Sequence, residues 1–148
     1  MTHTGTYFRI PLPDGSYGYG RELSETYTGF YDYRTTDPSE DLDALDATKF
    51  LFVQSVRVRP GDQWEKIGRR PLEGEAARPV VRFVQSAGDF RKCVIYDSEG
   101  LERPATPEEC VGLERAAVWD ARHIERRLLD TFLGLPNEDE VNARVRLE

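Results

Sequence analysis

The sequence predicts a mainly β (α+β) fold: a single curved antiparallel sheet or small barrel of six to seven strands, with a C-terminal helix packed on it. Three observations support this. Short apolar runs alternate with turn residues along most of the chain, Gly18 and Gly20 clear one face of an early strand, and helical periodicity is extended only near the C-terminus. With 148 residues, 39% of them apolar and 32% charged, we expect one domain over 1–148.

The clearest local signal is a hairpin near the N-terminus. Two apolar runs flank the PDGS segment at 13–16, where Pro13 presets φ and Gly15 supplies a left-handed residue. A third run, Tyr27 to Tyr33, follows at once. The first 33 residues therefore predict an antiparallel meander on which later strands can pack.

Residues 35–48 interrupt the strand pattern with an acidic segment. We expect a loop with one helical turn, capped by Asp37 and with Pro38 at the first helical position. A calcium loop is excluded because the DxDxDG pattern is absent and Phe52 stands where the twelfth position, counted from Asp41, requires Glu. The segment holds five carboxylates: Asp37, Glu40, Asp41, Asp43 and Asp46.

Later strands and a helix complete the predicted fold. We expect Phe50–Arg59 to be the longest strand, with Val58 pointing inward. Thr106 begins a short helix, and the one substantial helix runs from its cap at Asp120 to Leu133, packed through Ile124, Leu128 and Phe132. Further strands are predicted at Trp64–Ile67, with Trp64 in the core, and at Val80–Gln85 and Arg91–Asp97, with a polar loop at Arg69–Pro79.

Residues that could carry catalysis are scarce. The two histidines, His3 and His123, cannot supply a histidine-based metal site or a nucleophile and base pair. Cys93 and Cys110 have no metal-binding spacing, which favours reduced thiols and leaves a disulfide between them open. We therefore expect no enzyme activity, no metal and no cofactor.

Charge and hydropathy limit the partners. A net charge of −7 argues against nucleic acid, whose phosphates require clustered Lys and Arg. No apolar run approaches the roughly 18 residues of a membrane span, and the N-terminus lacks a signal sequence. We expect a cytoplasmic protein with a basic partner.

Two motifs resemble the immunity protein 26 family, bacterial antidotes encoded beside polymorphic toxins. They are G-x-x-F-x-I-P-L-P-D-G-x-Y-G-Y-G-R at Gly5–Arg21 and AAVWD-x-x-H-I-E-x-R-L at Ala116–Leu128, with a middle strand at Phe50–Val58 between them. The resemblance implies a mostly β, non-catalytic protein that binds and neutralises a cognate toxin in the cytoplasm. It supplies no binding residues, because members oppose different toxins.

The first functional hypothesis is stoichiometric occlusion of a toxin with a basic surface. The alternative is a small β-barrel adaptor that binds an extended peptide of a protein partner, and a hydrolase comes third. For toxin binding we single out the densest acidic stretch and the two tyrosines before it. The predicted binding residues are Asp37, Glu40, Asp41, Asp43, Asp46, Tyr31 and Tyr33.

Overall fold

The computed structural model describes residues 4–148, so His3 lies outside the described residues. The chain is mainly β, as predicted, with three α-helices in the described part. The strands are β1 Thr6–Pro11, β2 Tyr17–Glu22, β3 Thr28–Tyr31, β4 Phe50–Arg57, β5 Glu65–Arg69, β6 Val81–Gln85, β7 Cys93–Asp97, β8 Glu102–Ala105, β9 Glu114–Arg115 and β10 Val118–Asp120. The helices are α1 Leu42–Asp46, α2 Ala121–Phe132 and α3 Glu138–Ala143.

The prediction of a single curved sheet or barrel is wrong, because the strands form two mixed sheets. A six-stranded sheet has the order β10-β4-β3-β2-β1-β5, and a four-stranded sheet has the order β8-β7-β6-β9. Each contains one parallel pair, β10 with β4 and β9 with β6. The late strands β6, β7 and β8 pair with one another instead of extending the first sheet.

The chain forms two compact units, one up to Arg78 together with Val118–Asn137, and the other of Pro79–Ala117 with Glu138–Glu148. The first holds the six-stranded sheet, α1 and α2. The second holds the four-stranded sheet and α3 around a small core that includes Phe83. A single domain over 1–148 stays a prediction.

The N-terminal hairpin is confirmed. Strands β1 and β2 pair antiparallel, and Gly15 adopts a φ of 87° in the turn between them. The amide of Leu12 donates to the carbonyl oxygen of Ser16 at 2.8 Å, which closes the loop. Gly18 leaves room for a close neighbour, since a Cβ there would lie 3.2 Å from a methyl carbon of Leu128 on α2.

Helix α2 agrees with its prediction. Asp120 caps it by accepting a hydrogen bond from the amide of Arg122, and Ile124 and Leu128 are fully buried. Phe132 is only half-buried, because it lies in the last turn. The helix therefore covers the glycine-lined face of β2 through Leu128.

Three strand and helix details differ from expectation. Strand β4 ends at Arg57, its last residue paired with β10, so Val58 is 43% exposed instead of inward. Thr106 and Glu109 form the expected capping box, but only a 3-10 turn, Glu108–Cys110, follows before Gly112 reverses the chain at a φ of 86°. The predicted loop at Arg69–Pro79 contains a second 3-10 turn, Gly74–Ala77.

Trp64 lies just before β5 and is half-buried instead of enclosed in the core. Its ring makes edge contacts with Phe8 and Phe30, and its Nε1 donates to Glu125 at 2.9 Å. Trp64 therefore contributes in two ways: its apolar ring packs against other rings, and its indole N–H makes a hydrogen bond.

Cys93 and Cys110 are buried free thiols in one core cluster of the second unit. Burial, with a further contribution from the adjacent Cys93 thiol, raises the pKa of Cys110 to about 11. The Cys110 thiol is therefore expected to stay protonated and unreactive at neutral pH.

The packing of α2 generates a stability prediction. Leu128→Ala removes a fully buried side chain that touches the Gly18 position, so it should lower the free energy of unfolding by roughly 2–5 kcal/mol. Leu133→Ala, at a position that is 51% exposed, is the control and should cost less than about 0.5 kcal/mol. Equal midpoints for both variants in chemical denaturation would contradict this account of the helix face.

Candidate partner-binding surface

Helix α1 carries the C-terminal half of the acidic segment. It begins at Asp41, whose side chain accepts a hydrogen bond from the amide of Ala44 at 3.1 Å. The cap predicted at Asp37 is therefore wrong: Asp37 lies in irregular, exposed chain upstream of the helix. The later start is the one that turns Leu42 and Leu45 toward the core.

Two leucines seat α1 on the tyrosine-rich region of the six-stranded sheet. Leu45 is fully buried in a cluster with Tyr7, Tyr19 and Tyr31. Leu42 lies over Gly68 of β5, where a Cβ would come within 2.6 Å of a leucine methyl carbon. Gly68 thus allows the short helix to approach the sheet backbone closely.

All five carboxylates of the acidic segment are exposed to solvent: Asp37, Glu40, Asp41, Asp43 and Asp46. Asp43 accepts from Arg70 at 2.9 Å, yet its side chain remains 88% exposed. Glu40 lies 3.7 Å from Arg9 and is also largely exposed. Exposed pairs of this kind contribute little to stability, so these charges remain available to an incoming partner.

Asp46, the fifth carboxylate, is 37% exposed and has three partners within the protein. It accepts a short hydrogen bond from the hydroxyl of Tyr7 and another from Arg70 at 2.7 Å. Arg21 lies 3.5 Å away as a further ion-pair partner. Asp46 therefore ties α1 to the sheet and to the chain that follows β5.

Arg21 is a buried cation, only 4% exposed, although it stands in a strand of alternating tyrosine and glycine. Its guanidinium donates to the carbonyl oxygens of Arg70 and Pro71, both at 2.9 Å, and to that of Gly5 at 3.4 Å. It also stacks over the ring of Tyr7, with 4.3 Å between the guanidinium carbon and the ring centroid. The guanidinium of Arg21 therefore has partners both for its N–H groups and for its charge.

The two predicted tyrosine anchors lie beneath α1 instead of beside it. Tyr31 is 2% exposed and its ring packs 4.7 Å from that of Phe50 and 6.4 Å from that of Tyr7. Tyr33 is half-buried and meets Tyr19 edge-on at 5.4 Å. In this structure both rings support the acidic helix, and the ring of Tyr31 is not presented at the surface.

The surroundings of Tyr7 and Asp46 shift the pKa values of the two groups in opposite directions. Burial, and then the hydrogen bond donated to Asp46, raises the pKa of Tyr7. Partial burial would also raise the pKa of Asp46, but the hydrogen bonds from Tyr7 and Arg70 and the charge of Arg21 outweigh it, so that pKa is lowered. Tyr7 is therefore a protonated donor and Asp46 an ionised acceptor at neutral pH.

A cavity of about 550 Å³ lies beside this network in the first unit. Its lining combines aromatic rings with charges of both signs, and includes Tyr31, Asp46, Phe50, Arg70, Glu73 and Glu75. Its volume falls within the roughly 300–1,000 Å³ of small-ligand sites. The acidic segment is thus flanked by a depression as well as by solvent.

Sequence reasoning singled out Asp46 and Tyr31 but missed Arg21, Arg70, Glu73 and Glu75. One signal for Arg21 existed: it stands on the same strand face as Tyr17 and Tyr19, where a charged residue between apolar neighbours needs a partner. The other three follow from folding β5 beside β1, a pairing of residues about 60 positions apart that no local pattern reveals.

The part of the chain that builds this surface also matches a known protein family. A family model described as immunity protein 26 matches residues 3–94, more than half of the chain. The chain belongs to the immunity protein 26 family. The resemblance carried by the opening hairpin is thereby confirmed. No curated protein and no solved structure gives a match.

The immunity protein 26 match covers the features described above. It includes the hairpin, α1 and every residue that lines the cavity, and it ends inside β7. The second sequence motif, Ala116–Leu128, lies beyond the matched range. The family assignment therefore rests on the part of the chain that builds the candidate surface.

Within 4–148, His, Cys, Asp and Glu side chains do not gather in threes at distances that would hold a metal ion. None of the described helices combines the length and apolar content needed to cross a membrane. His123 is exposed on α2.

The lowered pKa of Asp46 predicts a specific acid sensitivity. Because the folded-state pKa of Asp46 is lowered, the ionised carboxylate stabilises the fold at pH values above its ordinary pKa of 3.8. This stabilisation is lost as the pH falls through the lower folded-state pKa. The difference in unfolding free energy between wild type and Asp46→Asn should therefore be largest near neutral pH and shrink below pH 3.8. Urea denaturation over a pH series measures it.

The control for this series is Asp139→Asn, which removes an exposed carboxylate of α3. It should give no comparable trend. A wild-type minus Asp46→Asn difference that stays constant down to pH 2 would show that Asp46 does not stabilise the fold through its charge.

Proposed function

We propose that this member of the immunity protein 26 family neutralises a cognate toxin in the cytoplasm by binding it stoichiometrically and covering its active surface. The observation that carries the proposal is the exposed acidic face of α1, held on the sheet by Leu42 and Leu45. Such a face suits a toxin with a basic surface. The proposal involves no turnover and no cofactor.

The structure divides the predicted binding residues into two groups. Asp37, Glu40, Asp41 and Asp43 are exposed, and we propose that they contact the toxin. Tyr31 and Tyr33 lie under α1, and Asp46, the last residue of α1, is hydrogen-bonded to Tyr7; we propose that these three residues hold the contact residues in place. A helix fixed before binding loses little conformational entropy when the complex forms.

Charge complementarity would act mainly on the speed of association. The chain carries a net charge of −7, and carboxylates concentrated on one face attract a basic protein from a distance. Exposed charges of this kind are screened by salt, with a Debye length of about 8 Å at physiological ionic strength. The association rate should therefore depend on both the charges and the salt concentration.

The direct experiment uses the toxin encoded beside the gene of this chain. Coexpression should restore growth, and the two proteins should elute as a complex with equal numbers of both chains. A toxin that stays active at a molar excess of the purified chain, with no complex detected, would refute the proposal.

The acidic face generates a kinetic prediction. Asp41→Asn with Asp43→Asn should slow toxin association by roughly tenfold at low salt and flatten its salt dependence. The melting temperature should hardly change, because Asn also caps helices well and Asp43 is mostly exposed. Stopped-flow binding at several salt concentrations measures the effect.

The matched control is Glu138→Gln with Asp139→Asn, which removes two exposed charges on α3. It should alter association less than the α1 variant. Full protection after neutralisation of all five carboxylates would exclude this segment as the toxin contact and direct attention to the surface around Arg57, Arg59 and Trp64.

A further inference from the structure

We infer that the cavity beside α1 receives an arginine side chain of the protein partner, with Glu73 and Glu75 binding the guanidinium and Phe50 packing against it. The inference rests on the proposed function and adds a specific contact to it. Three observations carry it: unpaired carboxylates, compensated cations and an aromatic wall.

The carboxylates of Glu73 and Glu75 line the cavity without partners of their own. Among the described residues, neither of these carboxylates makes a hydrogen bond or an ion pair. The carboxylate of Asp46 in the same lining, by contrast, has three partners. The two glutamates flank Gly74 in the 3-10 turn at the rim and are exposed. They are the lining groups that an incoming donor can engage.

The two arginines that line the cavity already have partners within the protein. Arg21 is bound to three backbone carbonyl groups and lies near Asp46, while Arg70 is bound to Asp43 and Asp46. The two arginines are thus opposed by the carboxylates of Asp43 and Asp46, and the charges of Glu73 and Glu75 remain uncompensated. An anion would meet these two carboxylates, so the charge balance favours a cation.

The aromatic lining favours arginine over lysine. Phe50 is half-buried, and its ring contacts Tyr31 at 4.7 Å to form one wall. A planar guanidinium can stack on such a ring and donate paired hydrogen bonds to carboxylates at the same time. An ammonium is compact and strongly hydrated, so it uses a partly apolar cavity less well.

A toxin is not needed for the first test. The capped peptide acetyl-Gly-Arg-Gly-amide is titrated into the full chain and followed by amide chemical shifts, with the lysine and citrulline peptides as comparisons. We expect shifts centred on Phe50, Gly74 and Glu75, and binding in the order arginine, lysine, citrulline. Shifts elsewhere, or equal binding of the citrulline peptide, would overturn the inference.

Variants test the assignment of the two carboxylates. Glu73→Gln with Glu75→Gln should weaken binding of the arginine peptide by at least about fivefold, because charge-assisted hydrogen bonds become neutral ones. Glu138→Gln with Asp139→Asn should leave it unchanged. Free L-arginine tests the source of the side chain: tighter binding of the free amino acid than of the capped peptide would indicate a small-molecule site and overturn the inference.

The toxin complex provides the second readout. Glu73→Gln with Glu75→Gln should raise the dissociation rate about tenfold while changing association less than the α1 variant does. If the α1 variant impairs neutralisation and the Glu73/Glu75 variant does not, the cavity inference fails and the proposed function stands. If the wild-type chain does not bind the toxin at all, the proposed function fails, and the peptide titration decides the cavity separately.

Discussion

The buried guanidinium of Arg21 is the constraint on which the candidate surface depends. An arginine removed from water is tolerated only where its charge and its N–H donors are met, and here three carbonyl groups, Asp46 and the ring of Tyr7 meet them. These partners come from the chain before β1, the chain after β5 and helix α1. Satisfying one side chain on β2 therefore fixes the positions of three other segments.

This arrangement separates charges that hold the fold from charges that face solvent. Arg21, Asp46 and Tyr7 form a set with reciprocal partners, in which the hydrogen bond from Tyr7 and the charge of Arg21 help to lower the pKa of the Asp46 carboxyl. Asp43 lies one helical turn away and is mostly exposed, although it shares Arg70 with Asp46. The outer charges can therefore change or bind a partner with little cost to the fold.

Local signals predicted the hairpin at Gly15 and helix α2 with its cap at Asp120, because turn chemistry and helix capping act over a few residues. They could not predict two sheets, since the parallel pairs β4–β10 and β6–β9 join distant segments. The helix cap at Asp41 in place of Asp37 was decided by which start buries Leu42 and Leu45. Tyr31 fits an exposed or a buried strand position equally well from sequence, and only the packing of Phe50 and α1 over it decides its burial.

Under the proposed function, the exposed helix and the cavity would contribute to different stages of binding. Exposed carboxylates attract a basic partner over a distance, and salt screens this attraction. They therefore raise the association rate more than they lower the dissociation rate. A guanidinium enclosed by Phe50, Glu73 and Glu75 would be partly shielded from solvent, and its loss would appear mainly in the dissociation rate. The two features lie next to each other because Asp46, the last residue of α1, and its partner Arg70 both line the cavity. Diffusional capture by the helix would thus bring a basic partner directly to the cavity that retains it.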